Sequence, residues 1–72
     1  MNRDELIEAL EDLLMLDLGT LDLNKKLEEY EDWDSMAHLS LLALFDKIGK
    51  KLSVSEIRDL QTAGDILDKA GL

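Results

Sequence analysis

The stretch Glu31–Phe45, EDWDSMAHLSLLALF, decides how the rest of the chain is read. It passes from carboxylates flanking a tryptophan into a long apolar run through a single serine, Ser35. From Asp34 or Ser35 onward the run keeps a helical period, and it ends near Ile48 with Gly49 as its stop. At 100° per residue, Ala37, Leu41, Leu44, Phe45 and Ile48 share one broad face. Met36, Leu39 and Ala43 form a second, narrower stripe, flanked by Ser40, Asp46 and Lys47. A helix apolar on two sides either packs its second stripe under a neighbouring segment or offers that stripe to a partner.

Working outward, the N-terminal side predicts a helix over Arg3–Leu16. Leu6, Ile7, Leu10, Leu13 and Leu14 follow the spacing of one buried stripe. Asn2 and Glu5 form a capping pair, Asp4 and Glu5 suit the dipole of the first turn, and Gly19 is the expected terminator. Residues 17–34 have no sustained period. They are expected to form a long loop with a helical turn near Lys25–Tyr30. Leu18, Leu21, Leu23, Leu27, Tyr30 and Trp33 would pin this loop to the core. Ordered loops of such length tend to carry function.

On the C-terminal side, Ser53 with Glu56 makes an S-x-x-E capping box that opens a short helix through Ile57 and Leu60. Thr62 with Asp65 repeats the device for a last helix, with Ile66, Leu67 and Ala70 inward and Gly71 as its close. Nothing alternates at period two, so strands are not expected. The fold class is all-α: a four-helix bundle with a long first loop and a short third helix. Seventy-two residues make a single domain, 1–72. A core of this size typically supplies about 3–5 kcal/mol of net stability.

Composition narrows the function classes. The chain has no cysteine, hence neither a disulfide framework nor a thiolate metal site. Residues 1–34 hold 12 acids and 3 bases, whereas residues 35–72 hold 5 of each, so the whole net charge of −9 precedes Ser35. Such a chain repels phosphates, and no nucleic-acid partner is expected. The acidic half either attracts basic proteins or simply keeps a small protein soluble. Met1-Asn2-Arg3-Asp4-Glu5 lacks the pattern of a secretory signal, and no apolar run approaches the roughly 18 residues of a membrane span. A cytoplasmic monomer is expected.

Three roles are open to Ser35. A nucleophile needs a base and a third group to orient it. His38, the only histidine, lies three residues on along the same helix, without a G-x-S-x-G turn and in a chain with little room for a substrate pocket. Catalysis is therefore not expected, and His38 reads as a boundary residue, half packed and half solvated. Metal binding is unsupported as well, since Asp17, Asp22 and Asn24 do not fit a calcium loop. The remaining roles are a plain helix cap and a covalent handle. A phosphodiester at a helix start meets unpaired backbone N–H groups and a favourable dipole, although Asp32 and Asp34 repel it. The local sequence does not separate these two.

Taken whole, the chain resembles the acyl carrier proteins. The residues that carry the resemblance are Asp34-Ser35-Met36, matching the family's D-S-[LM] motif at the start of the second helix, and the preceding Trp33. The loop leucines, the S-x-x-E turn and LQTAGDIL over Leu60–Leu67 fall in the expected order, so the likeness covers essentially all 72 residues. It implies a four-helix carrier, not an enzyme, with 4′-phosphopantetheine from coenzyme A attached at Ser35 and Asp34 as its motif neighbour. The implied partners are a phosphopantetheinyl transferase and the enzymes that load and receive an acyl or aminoacyl group, held as a thioester.

The second helix departs from the pattern of housekeeping fatty-acid carriers, where it is acidic. Here it offers only Asp46, beside Lys47, with Ala37, His38 and Ser40 where acids would be expected. Docking is then expected to lean on Met36, Leu39, Ser40, Ala43 and Asp46. This favours a specialised carrier of a polyketide, lipid-modification, cell-surface or aminoacyl pathway. A cargo cavity would lie between helices two, three and four, bordered by Leu41, Phe45, Ile57, Leu60 and Ile66, unless the core is filled. The alternative function is an unmodified helical interaction module that docks through the Met36/Leu39/Ala43 stripe.

Overall fold

The computed structural model describes all 72 residues, Met1–Leu72. The chain is all-helical, with four α-helices and no strand: α1 (Arg3–Leu13), α2 (Ser35–Lys47), α3 (Val54–Asp59) and α4 (Ala63–Ala70). A single 3₁₀ turn, Leu27–Glu29, lies within the long segment between α1 and α2, where a helical turn is expected. No helix is long and apolar enough to cross a membrane.

Three of the four helices open on reciprocal caps. Asn2 Oδ1 accepts from the Glu5 amide at 2.8 Å while Glu5 accepts from the Asn2 amide at 3.0 Å. Ser53 and Glu56 do the same for α3, and Thr62 and Asp65 for α4. Each arrangement satisfies backbone donors that a helix start leaves unpaired.

The first helix ends earlier than the sequence predicts, and not at Gly19. Met15 adopts a left-handed conformation (φ 57°). Its amide donates to the Asp12 carbonyl, and the Leu16 amide reaches back to the Glu11 carbonyl at 2.7 Å. These two bonds close the helix after Leu14 and turn Leu16 back onto the core. Gly19 (φ 82°) instead serves a separate turn, closed by the Thr20 amide on the Asp17 carbonyl. Leu18, at the corner of that turn, is 74% exposed and does not pin the loop as expected.

The other apolar loop residues do reach the core. Leu27 and Tyr30 are buried, and Leu21, Leu23 and Trp33 pack against the cluster. Backbone bonds fasten the segment to the α3–α4 corner: the Leu27 amide to the Gln61 carbonyl at 2.7 Å, and the Gly64 amide to the Leu23 carbonyl at 3.1 Å. Glu11, a buried acid of α1, accepts from the Leu21 amide at 3.0 Å and holds the start of the loop.

One apolar cluster joins all four helices. Leu6 and Leu10 of α1 meet Leu41 and Phe45 of α2, Ile57 of α3, and Ile66, Leu67 and Ala70 of α4. Leu41, Phe45 and Ile66 are at most 1% exposed. They line none of the larger clefts, so the core between α2, α3 and α4 is filled at these positions.

Candidate functional site

Asp34 caps α2, and Ser35 does not. One carboxylate oxygen of Asp34 accepts from the amides of Met36 (3.0 Å) and Ala37 (3.1 Å), and its carbonyl takes the His38 amide at 3.0 Å. Ser35 is therefore the first residue inside the helix, with an exposed side chain whose hydroxyl plays no part in the cap. Of the first four helical amides, only that of Ser35 has no protein acceptor. An anion on the Ser35 hydroxyl meets fewer free donors than the sequence suggests, and it lies beside the Asp34 carboxylate. Ser35 faces solvent, where repulsion between charges is screened.

The second stripe of α2 is bare. Met36 is 70% and Leu39 60% exposed. Ser40, Ala43 and Asp46 are exposed on the same face, so the long loop does not cover them. The opposite face buries Ala37, Leu41 and Phe45, with Leu44 and Ile48 half-buried at its edges. The helix thus has a face anchored in the core and a free apolar face that begins next to Ser35.

His38 occupies the boundary between them. It is half-buried, one turn along from Ser35, and meets Trp33 edge to face at 4.7 Å between ring centroids. Its Nε2 atom is buried and has no hydrogen-bond partner. An unpaired buried polar atom costs about 1–3 kcal/mol. Trp33, His38, Ile57 and Leu60 form part of a pocket of about 460 Å³ between the long loop, α2 and α3. Lys26, Glu28, Arg58 and Gln61 complete its lining. Lys26 and Glu28 of its wall flank Leu27, whose amide donates to the Gln61 carbonyl just past the end of α3. That long-range contact has no signature in the local pattern, so the sequence identifies His38 as a boundary residue without identifying the pocket.

Two carboxylates elsewhere are electrostatically distinct. Asp65 is held below the usual carboxylate range by the backbone amides of Gln61 and Thr62 and by the Thr62 hydroxyl. Glu56 is lowered by the Ser53 amide and hydroxyl and by Lys69 at 3.4 Å. Both belong to helix caps rather than to the Ser35 region.

No protein family, curated protein or solved structure matches this chain. The functional reading therefore stands on the residues and their geometry, together with the resemblance carried by Asp34-Ser35-Met36 and its flanks.

Proposed function

We propose that the protein is an acyl carrier protein, with Ser35 as the attachment point of a 4′-phosphopantetheine arm. The observation that carries this reading is the division of labour at the start of α2. Asp34 makes the cap, which leaves the Ser35 hydroxyl exposed and free for modification. The plain-cap role that the sequence leaves open for this serine thereby loses its support.

The residues fit such an arm. Ser35 supplies an accessible oxygen, its own amide is an unused donor, and rigid α2 fixes where the arm departs. When bound, the arm supplies the thiol that this cysteine-free chain lacks, and on it an acyl or aminoacyl group is carried as a thioester. A phosphopantetheinyl transferase is the required first partner. Met36, Leu39 and Ala43 offer apolar contact area to that enzyme and to the loading and receiving enzymes, with Ser40 and Asp46 at the margin. Acids of α1 and the long loop add long-range attraction to basic partners, which affects encounter rate more than affinity. The poverty of acids on α2 supports a specialised rather than a housekeeping carrier.

The bare Met36/Leu39 stripe also supports a second reading, an unmodified module that docks a partner helix or groove. Labelling with a fluorescent coenzyme A and a broad-specificity transferase separates the two. A carrier takes the label in the wild type and loses it in Ser35→Ala, while Met36→Glu weakens labelling through docking. A docking module takes no label in any variant.

A further inference from the structure

We infer that the corner after α1, Met15–Thr20, is a second docking surface that takes a basic amphipathic helix of a partner protein; this goes beyond the carrier reading and does not rest on it. Met15 and Leu18 are the two most exposed large apolar side chains of the molecule, ahead of Met36 and Leu39 on α2. Folding explains neither of them. Glycine suits the left-handed backbone at Met15 better, and the methionine side chain buries little in return. Leu18 sits in the turn that the Thr20 amide closes on the Asp17 carbonyl, and it is Leu16, between the two, that packs against the core. Three residues apart, their Cα atoms are at most about 11 Å from each other, so one helix covers both.

The surrounding charge sets the chemistry of the partner. Between Arg3 and Lys25 stand seven acids and no base, and of these acids only Glu11 is buried. Asp12 and Asp17 bracket Met15 in the chain, and Asp17 and Asp22 bracket Leu18. All three aspartates are exposed and none is in an ion pair; the one ion pair of the molecule joins Glu56 to Lys69. An apolar pair rimmed by unpaired carboxylates complements an apolar ridge rimmed by Lys or Arg, and it repels acidic proteins and anionic membrane surfaces. Methionine suits such a surface, because its unbranched, polarisable chain adapts to the side chains that meet it. The bare stripe of α2 lacks this complement. Along that helix Asp46 is balanced by Lys47, so the two apolar surfaces differ in the charge of the partner they accept.

The test titrates nitrogen-15-labelled protein with a synthetic amphipathic helix of leucine and lysine, and with the same peptide carrying glutamate for lysine. The expected result is that the lysine peptide shifts the amides of Met15–Thr20 most and the glutamate peptide leaves them in place. Affinity is expected to fall about tenfold in Met15→Ser/Leu18→Ser, through the lost apolar contact. In Asp12→Asn/Asp17→Asn it is expected to lose much of its salt dependence. All four side chains are exposed, so these variants keep the fold, which dispersed amide spectra check. Largest shifts over Met36–Ala43, no binding of the lysine peptide, or an unchanged affinity in folded Met15→Ser/Leu18→Ser would overturn the inference. Concentration-dependent shifts of Met15–Thr20 in the protein alone would overturn it too, by assigning the corner to a second copy of the chain. Ser35→Ala is expected to bind the peptide as the wild type does, which separates failure of this inference from failure of the carrier reading.

Discussion

At the residue scale, the neighbours Asp34 and Ser35 have separable jobs, and the separation is measurable. Asp34 accepts two backbone N–H bonds, so Asp34→Ala is expected to cost about 0.5–2 kcal/mol. Ser35→Ala removes an exposed hydroxyl outside the cap, and its effect is expected to stay within about 0.5 kcal/mol. Chemical denaturation of the two variants checks the difference; a larger loss in Ser35→Ala would return the capping role to the serine. Met15 gives the opposite kind of prediction. It is 78% exposed and holds a left-handed backbone that suits glycine better. Met15→Gly is therefore expected to stabilise the fold by about 0.5–1 kcal/mol, offset partly by the greater freedom of glycine in the unfolded chain. An unchanged or lower denaturation midpoint would show that the conformation at Met15 is not strained.

At the scale of elements, acid sensitivity is expected to arise at the caps of α3 and α4. Glu56 and Asp65 titrate lower in the folded chain than in the unfolded one. A group with a depressed folded pKa contributes its full stabilisation above its unfolded value, roughly pH 4 to 4.5, and loses it as pH falls through the folded value. Stability from these groups is therefore flat near neutrality and declines in the acid range. Asp65→Asn is expected to lower stability at pH 7 and to flatten the decline; thermal melts from pH 7 to pH 3 measure both. An unaltered acid limb would place the sensitivity elsewhere.

How much of each element was legible in the sequence follows from how local its determinants are. The caps Asn2/Glu5, Ser53/Glu56 and Thr62/Asp65 depend on residues three apart, and all are present where the pattern puts them. The stop at Gly49 is equally local: φ is 78° there, and the Lys50 amide returns to Phe45. The end of α1 was not legible, because the left-handed position falls on a methionine and the only cue is the packing of the partly buried Leu16 against the core. Glu11 was hidden for a similar reason. It looks like a solvated acid on the flank of a leucine stripe until Leu21, ten residues away, donates to it. The bare stripe on α2 was visible as periodicity, but whether the loop covers it depends on where Leu27 and Gly64 fasten that loop.

At the scale of the whole molecule, one filled core supports two free features on the same helix: the exposed Ser35 and the apolar face from Met36 to Ala43. The core has to be filled because a domain this small has little stability to spare. The cleft beside His38 lies at the rim of that cluster, against Ile57 and Leu60, rather than between Phe45 and Ile66. Ser35 and the stripe were named by the sequence, since a motif and a period suffice for them. The pocket needs three segments brought together by long-range backbone bonds and emerges only in the folded chain.

The carrier reading rests on the Ser35 hydroxyl. Intact-mass spectrometry after incubation with coenzyme A, magnesium and a broad-specificity phosphopantetheinyl transferase tests it most directly, with Ser35→Ala alongside. One phosphopantetheine adduct per chain, absent from the folded mutant, is the predicted result. A folded wild-type protein that takes no adduct from any of several transferases, or an adduct that persists in Ser35→Ala, would contradict it.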